Sequence, residues 1–276
     1  MTGEIRLGGH TWQWGQRTYI MGILNVTPDS FFDGGIFADP AQALKHARRM
    51  AEEGADIIDV GGESTRPGSL PVTAEQEITR IIPVLKMLKA ELDIPISVDT
   101  YRAKTAEAAI KAGVDMINDV WGLKADPNMA GVIAGYGVPV CIMHNSSSSE
   151  YRSLIDDIVA GLHQGIEAAH KAGVKDENIV IDPGIGFGKS GDQNIEVIAR
   201  LERFKAMGYP LLLGASRKSF IGRVLDLPVN ERLEGTLAVT VLGIAKGADV
   251  VRVHDVWQNR RVAIMADRIV RNKWTG

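Results

Sequence analysis

The sequence predicts an α/β fold, a single closed barrel of eight parallel strands each followed by a helix, on three observations. Eight short runs are apolar almost without interruption, as strands covered on both faces are. Longer amphipathic stretches with helical spacing separate them, and several end in glycine, as helices do at their C′ position. Polar or charged residues follow nearly every apolar run, where a barrel of this kind carries its chemistry.

In chain order, residues 5–18 read as a short N-terminal hairpin, polar and aromatic residues around GlyGly, and the barrel occupies 19–276. Strands are expected over 19–24, 56–60, 96–99, 116–119, 138–143, 179–182, 211–214 and 250–253. Amphipathic helices are expected between them, among them 41–53, 74–91, 102–112, 151–172 and 195–207, with Gly54, Gly113, Gly173 and Gly208 as stops. An open doubly wound sheet also alternates, but it has fewer strands at this length and usually a glycine fingerprint after its first strand. Here AsnValThrProAspSer stands at that place. No Pro-, Gly- or Ser-rich linker divides two cores, and the serine tract 146–149 directly follows a strand. One domain over 1–276, a (β/α)8 or TIM barrel, is the resulting expectation.

Composition narrows the function. The 276 residues are 45% hydrophobic and 24% charged, ordinary for a globular protein with a sizeable core. Lys plus Arg number 31 against 34 Asp plus Glu, a net charge of −3, so there is no global basic field for a nucleic acid. The single Cys141, inside ValCysIleMet, excludes a disulfide framework and a thiolate zinc cluster and reads as a buried small residue. No apolar run approaches the roughly 18 residues of a membrane span, and the first residues lack the apolar centre of a signal peptide. No membrane partner and a cytoplasmic location are expected.

The strand ends carry the functional signal: Asn25 with ThrProAspSer, GlyGlyGluSerThrArgProGly, Asp99 with Thr100, Asn118 with Asp119, MetHisAsn, AspProGlyIleGlyPheGly, SerArgLysSer, and Arg252 with ValHisAsp. Singly, each has a local reading. Asp99 or Thr100 can cap a helix starting near Arg102, Asp182 can begin the turn through Pro183, and Asn118 or Asp119 can satisfy loop amides. Jointly, Asp99, Asn118, Asp182 and Lys218 come from four different strands and should meet at one barrel mouth. A carboxylate accepts two parallel hydrogen bonds from a ring N–H and its exocyclic amine, an amide donates and accepts, and an ammonium serves a carbonyl or ring nitrogen. A pterin or guanine edge offers that pattern. Leaving such groups buried without a partner would cost about 1–3 kcal/mol each.

A second constellation is cationic: Arg66 after strand two, Arg217 and Lys218 after strand seven, Arg252 and His254 after strand eight, with Ser64 and Ser219 as hydroxyl donors. It favours a phosphate or pyrophosphate, because the loops after strands seven and eight recur as phosphate sites in barrels. The competing reading is a solvated rim of surface ion pairs. GlyPheGlyLysSer at 186–190 resembles the end of a phosphate loop, but Pro183 stands where the earlier glycine is required. AsnValThr at 25–27 and AsnSerSer at 145–147 fit the glycosylation rule but are expected to carry nothing without a secretory signal. No His or Cys pair has metal-ligand spacing, so a divalent ion would be shared between Asn25 and substrate oxygens.

MetGlyIleLeuAsnValThrProAspSerPhe at 21–31, GlyGlyGluSerThrArgProGly at 61–68 and SerValAspThr at 97–100 resemble the dihydropteroate synthase family. IleAsnAspValTrpGly at 117–122, MetHisAsn at 143–145, AspProGlyIleGlyPheGlyLys at 182–189, SerArgLysSerPheIleGly at 216–222 and ArgValHisAspVal at 252–256 continue the resemblance in order. It implies a transferase of folate biosynthesis. The reaction would condense 6-hydroxymethyl-7,8-dihydropterin pyrophosphate with 4-aminobenzoate to 7,8-dihydropteroate and pyrophosphate. By that resemblance Asp99, Asn118, Asp182, Lys218 and Arg252 hold the pterin, and Arg66, Ser219, Arg252 and His254 hold the pyrophosphate, with Asn25 acting through Mg2+. The loops 26–36 and 62–71 would close over the site, and Phe31, Thr65, Pro67, Phe187, Lys218 and Ser219 would surround the aminobenzoate. Asp33 would join Lys218 and Arg252 as a catalytic group, stabilising the cation or taking the amine proton; its other reading is a solvated turn residue beside Gly34.

The chemistry is consistent with those residue types. Breaking the carbon–oxygen bond separates a benzylic-type cation from a pyrophosphate anion, so an anion site is most valuable in the transition state. No nucleophilic side chain is needed. The resemblance also implies a homodimer through barrel helices and inhibition by sulfonamides, which mimic aminobenzoate. Two rivals are a pterin-binding methyltransferase, which would not need the pyrophosphate cluster, and a noncatalytic pterin-binding paralogue, which would be expected to lose Asn25, Arg66 or Lys218.

Overall fold

A computed structural model describes residues 3–27, 40–63 and 72–271. Strands β1 (Glu4–Leu7) and β2 (His10–Gln13) form an antiparallel hairpin. The chain then alternates through β3 (Tyr19–Asn25), α1 (Pro40–Glu52), β4 (Ile57–Gly61), α2 (Ala74–Glu91), β5 (Ile96–Asp99), α3 (Ala103–Lys111) and β6 (Met116–Asp119). It continues through α4 (Met129–Tyr136), β7 (Val140–Met143), α5 (Leu154–Ala172), β8 (Ile179–Asp182), α6 (Gly191–Ala199), α7 (Glu202–Lys205) and β9 (Leu212–Leu213). Helices α8 (Ser219–Leu225) and α9 (Leu233–Ala245), strand β10 (Val250–Val253) and α10 (Val256–Val270) complete it. Strands β3 to β10 pair in parallel in the order β8-β7-β6-β5-β4-β3-β10-β9, and a parallel bridge between Ile181 and Leu211 joins the two ends into the expected eight-stranded barrel.

Two apolar layers hold it. Outward-facing strand residues such as Ile20, Ile58, Ile96, Val98 and Val251 pack under the helices. Residues one position away face inward: Tyr19, Met21, Ile57, Met116, Cys141, Val180, Leu212 and Val250 form a second cluster with Ile5, Leu7, Trp12 and Trp14 of the hairpin. The hairpin is therefore the floor of the barrel, with the Trp12 ring stacked on Tyr19 at 4.2 Å between centroids. Side chains two apart share a strand face. The same inward rows, continued toward the carboxyl ends, place Asp59, Asn118, Asp182 and Arg252 above that floor.

Local chemistry sets several boundaries. Thr73 Oγ accepts from Gln76 N and the Gln76 side chain returns to Thr73 N, a capping box that starts α2 where the sequence places it. The four expected stop glycines, at 54, 113, 173 and 208, all have positive φ. The helix expected over 195–207 is instead two. Helix α6 starts earlier, at a Ser190–Gln193 capping box, and the backbone leaves helical angles at Arg200 (φ −116°, ψ 28°). The break brings Leu201 and Phe204 both into the core, fully buried. Pro139 shortens the strand expected from 138, and extended Ser153 delays α5 to Leu154. No helix among the described residues is long and apolar enough to cross a membrane.

Candidate active site at the carboxyl ends of the strands

At the centre of the mouth, Arg252 from β10 bridges two carboxylates: its Nε donates to Asp59 Oδ2 at 2.6 Å and its Nη2 to Asp99 Oδ2 at 2.9 Å. Asp59 is fully buried and also receives Ser97 Oγ at 2.5 Å and Asn118 Nδ2 at 3.1 Å. A dry carboxylate survives only with such donors. Sequence reasoning passed over Asp59, although it is the lone charge inside the IleIleAspValGly strand, two residues before the strand end. With its amide nitrogen turned to Asp59, Asn118 keeps its Oδ1 as an acceptor.

Asp182 and Lys218 complete the set. Asp182 Oδ1 receives the Gly184 N–H at 2.7 Å, while Oδ2 has no partner among the described residues. The space beside Oδ2 is kept by Gly214, where a Cβ would sit 3.6 Å away. Burial pushes the Asp182 acid up to about 6, against the Gly184 N–H. Burial likewise raises Asp99 to about 7, opposed by Arg252. The Lys218 ammonium lies 4.1 Å from the centroid of the Phe187 ring and has no hydrogen-bond partner among the described residues. Burial, with the Arg252 charge, lowers it to about 8. Arg252 and Lys218 each act electrostatically on both Asp99 and Asp182, which makes the four side chains near neighbours at the mouth.

The structure thus brings Asp99, Asn118, Asp182, Lys218, Arg252 and Phe187 together. The local reading holds for Asp119, which accepts from Trp121 N and Leu123 N; Thr100 Oγ accepts from Arg102 N ahead of α3 but does not cap it, since the first helical N–H, of Ala103, goes to Asp126 Oδ2. One member of the cationic set drops out. Arg217 is locked bidentately to Asp255 at 2.8 and 2.5 Å, an internal ion pair made by its turn at φ 55°. On the rim, His254 Nδ1 meets Ser216 Oγ at 2.9 Å, and Ser219 is exposed as the first residue of α8. Phe31, Asp33, Ser64, Thr65, Arg66 and Pro67, with most of the loops 26–36 and 62–71, lie outside the described residues.

Asn25 ends β3 half-buried, and its side chain has no hydrogen-bond partner among the described residues. Those residues contain no group of three or more His, Cys, Asp or Glu able to hold a metal. One neutral oxygen donor fits a hard divalent ion that keeps its waters and takes its remaining ligands from a phosphorylated substrate.

Comparison with known proteins identifies the setting. The model of the pterin binding enzyme family matches residues 21–254. The chain belongs to the pterin binding enzyme family. The dihydropteroate synthase of Clostridium beijerinckii is 58% identical over 268 residues, 97% of this chain and 100% of that protein. A crystal structure of dihydropteroate synthase from Clostridium difficile in the presence of pteroic acid superposes with a TM-score of 0.93 at 57% identity, covering 95% and 100% of the two chains. Xanthomonas albilineans dihydropteroate synthase with 4-aminobenzoic acid superposes with a TM-score of 0.92 at 38% identity, covering 98% of each. For a pterin binding enzyme the free Asp182 Oδ2, the Asn118 Oδ1 and the Lys218 ammonium are chemically apt. They offer acceptors for ring N–H and amine groups and a donor for the ring carbonyl.

Proposed function

We infer that this chain is a dihydropteroate synthase, a transferase of folate biosynthesis that joins 6-hydroxymethyl-7,8-dihydropterin pyrophosphate to 4-aminobenzoate. The observation that carries it is the neighbouring pair of Asp182, buried, and Lys218, half-buried, each with hydrogen-bonding capacity left over, in a chain collinear with synthases along nearly its whole length. Asp182 holds the pterin ring N–H and amine, Asn118 and Asp99 take further ring edges, and Lys218 donates to the ring. Arg252 lies against the pterin and offers its Nη1, left free by Asp59 and Asp99, to the pyrophosphate, which His254, Ser219 and Arg66 also bind.

The carbon–oxygen bond to pyrophosphate breaks with its electron pair leaving on oxygen. The aminobenzoate nitrogen, held near Phe31, Thr65, Pro67, Phe187, Lys218 and Ser219, adds to the methylene carbon and loses a proton, with Asp33 as the group that takes it. The cations of the rim stabilise charge that is greatest in the transition state. A Mg2+ ion bound to the pyrophosphate and Asn25 would supply further charge neutralisation. Noncatalytic binding, one rival, gains no observation, since Asn25 and Lys218 are retained at the mouth, and methyl transfer, the other, is disfavoured by 58% identity to a synthase along nearly the whole chain.

The assay is pyrophosphate release with dihydropterin pyrophosphate and Mg2+, with and without 4-aminobenzoate. Release should depend on aminobenzoate, fall by about 10²–10³ in Lys218→Ala and Arg252→Ala, and stop on chelation of the metal. Binding of the pterin without release would remove the synthase reading. Sulfonamides, mimicking aminobenzoate, should compete with it. A homodimer through barrel helices is supported by the outer faces of α9 and α10, where Leu242, Trp257, Ile264, Met265 and Ile269 are at least 50% exposed. A monomer mass in solution would dismiss it. The free Cys141 thiol fits a reducing, cytoplasmic location, which cell fractionation tests.

A further inference from the structure

We propose that Lys189, which has no role in the binding set above, is a positioning residue that gathers the 183–188 turn after β8 and holds the Phe187 ring beneath the Lys218 ammonium. The proposal rests on the synthase reading and deepens it. Lys189 Nζ donates to Gly184 O and Phe187 O, each at 2.9 Å, and lies 3.2 Å from His144 Nδ1. In its charged form Lys189, which burial lowers to about 7 against the pull of Asp182, meets three acceptors with three protons, with His144 neutral and protonated on Nε2.

The turn needs a clamp. Gly184 and Gly186 have φ 73° and 83°, and the turn is otherwise held by Phe187 N–H on Gly184 O at 3.2 Å, Gly186 N–H on Asn194 Oδ1 at 2.6 Å and Tyr151 Oη on Gly188 O at 2.8 Å, which leaves Phe187 O to Lys189. The backbone is also pressed against its surroundings. A Cβ on Gly184 would stand 1.9 Å from His144 O, and one on Gly186 2.8 Å from Lys218 Cδ. One end of the turn is Asp182, whose Oδ1 takes the Gly184 N–H; near the other is Phe187, whose ring lies 4.1 Å from Lys218 Nζ. Lys189 ties both to β7 through His144. Burial first, then the Lys189 charge, lowers His144 to about 3, so its ring stays an acceptor at neutral pH. The lysine of the GlyPheGlyLysSer run therefore turns into its own loop.

The test is a double-mutant cycle of Lys189→Met and Phe187→Ala, with steady-state kinetics and calorimetric binding of dihydropterin pyrophosphate in the absence of aminobenzoate. Lys189→Met should lower kcat/KM for 4-aminobenzoate by about tenfold, weaken pterin binding by a smaller factor through Gly184 and Asp182, and add nothing to the loss in aminobenzoate use caused by Phe187→Ala alone. Additive losses, equal loss of pterin binding, or unchanged kinetics would overturn it. If Lys189→Met does not fold, His144→Gln, which keeps an acceptor, should retain more kcat/KM than His144→Phe, and equal values would overturn it. Wild-type pyrophosphate release separates the two questions: without it the synthase reading falls, and with it the variants judge Lys189 alone.

Discussion

At the residue scale, burial places Asp182 and Lys218, two of the groups that face the pterin, on opposite sides of neutrality. Asp182 is raised to about 6, so below that pH it becomes a neutral acid and loses the doubly accepting carboxylate. Lys218 is lowered to about 8, so above that pH it loses the charge that its donor role uses. With Asp99 raised to about 7 as well, the free enzyme's kcat/KM for dihydropterin pyrophosphate should therefore be bell-shaped, with an acid limb between about 6 and about 7 and a basic limb near about 8. A profile flat across that range would contradict the assignment. Asp59 answers for the geometry beneath them. Asp59→Ala removes the acceptor of Arg252 Nε, Ser97 Oγ and the Asn118 amide at once, leaving Arg252 to Asp99 alone, and urea unfolding should show a loss of about 3–5 kcal/mol with weakened pterin binding. The sequence revealed Asp182 and Lys218 because each stands just past an apolar run. It hid Asp59 because a strand interior is read as core, and only the inward face of β4 makes that carboxylate a neighbour of Arg252.

At the scale of elements, local signals wrote most boundaries. Strands at 96–99, 116–119, 179–182 and 250–253 and helix 74–91 coincide with the apolar periods read from the chain. The Thr73–Gln76 capping box shows why the last is sharp. Thr73→Ala should cost about 1 kcal/mol and lower Tm by about 2–4 °C, with activity unchanged, as read by thermal unfolding. The break between α6 and α7 was not legible, because periodicity counts apolar positions and is blind to the two core sites that Leu201 and Phe204 fill. The same limit concealed the 183–188 turn: its glycines announce a loop, whereas its lysine enters the reading only within GlyPheGlyLysSer, a run like the end of a phosphate loop.

At the scale of the whole molecule, the hairpin and the barrel divide the labour. Trp12 and Trp14 seal the floor while the chemistry sits at the opposite end of the strands. Trp12→Ala should destabilise by about 3–5 kcal/mol through the cavity it leaves, yet keep kcat/KM close to wild type while folded. A proportional loss of turnover would show the floor and mouth to be coupled. The sequence alone determined the eight-stranded barrel, the family and the carboxyl-end location of Asp99, Asn118, Asp182, Lys218 and Arg252, because apolar period and strand-end position are local properties of the chain. Tertiary structure alone decided the partners. It sent Arg252 to Asp59 and Asp99, withdrew Arg217 to Asp255, and folded Lys189 back on Gly184 and Phe187. Charge pairing falls steeply with distance and depends on desolvation, and both are fixed by strand register and closure of the barrel rather than by spacing along the chain.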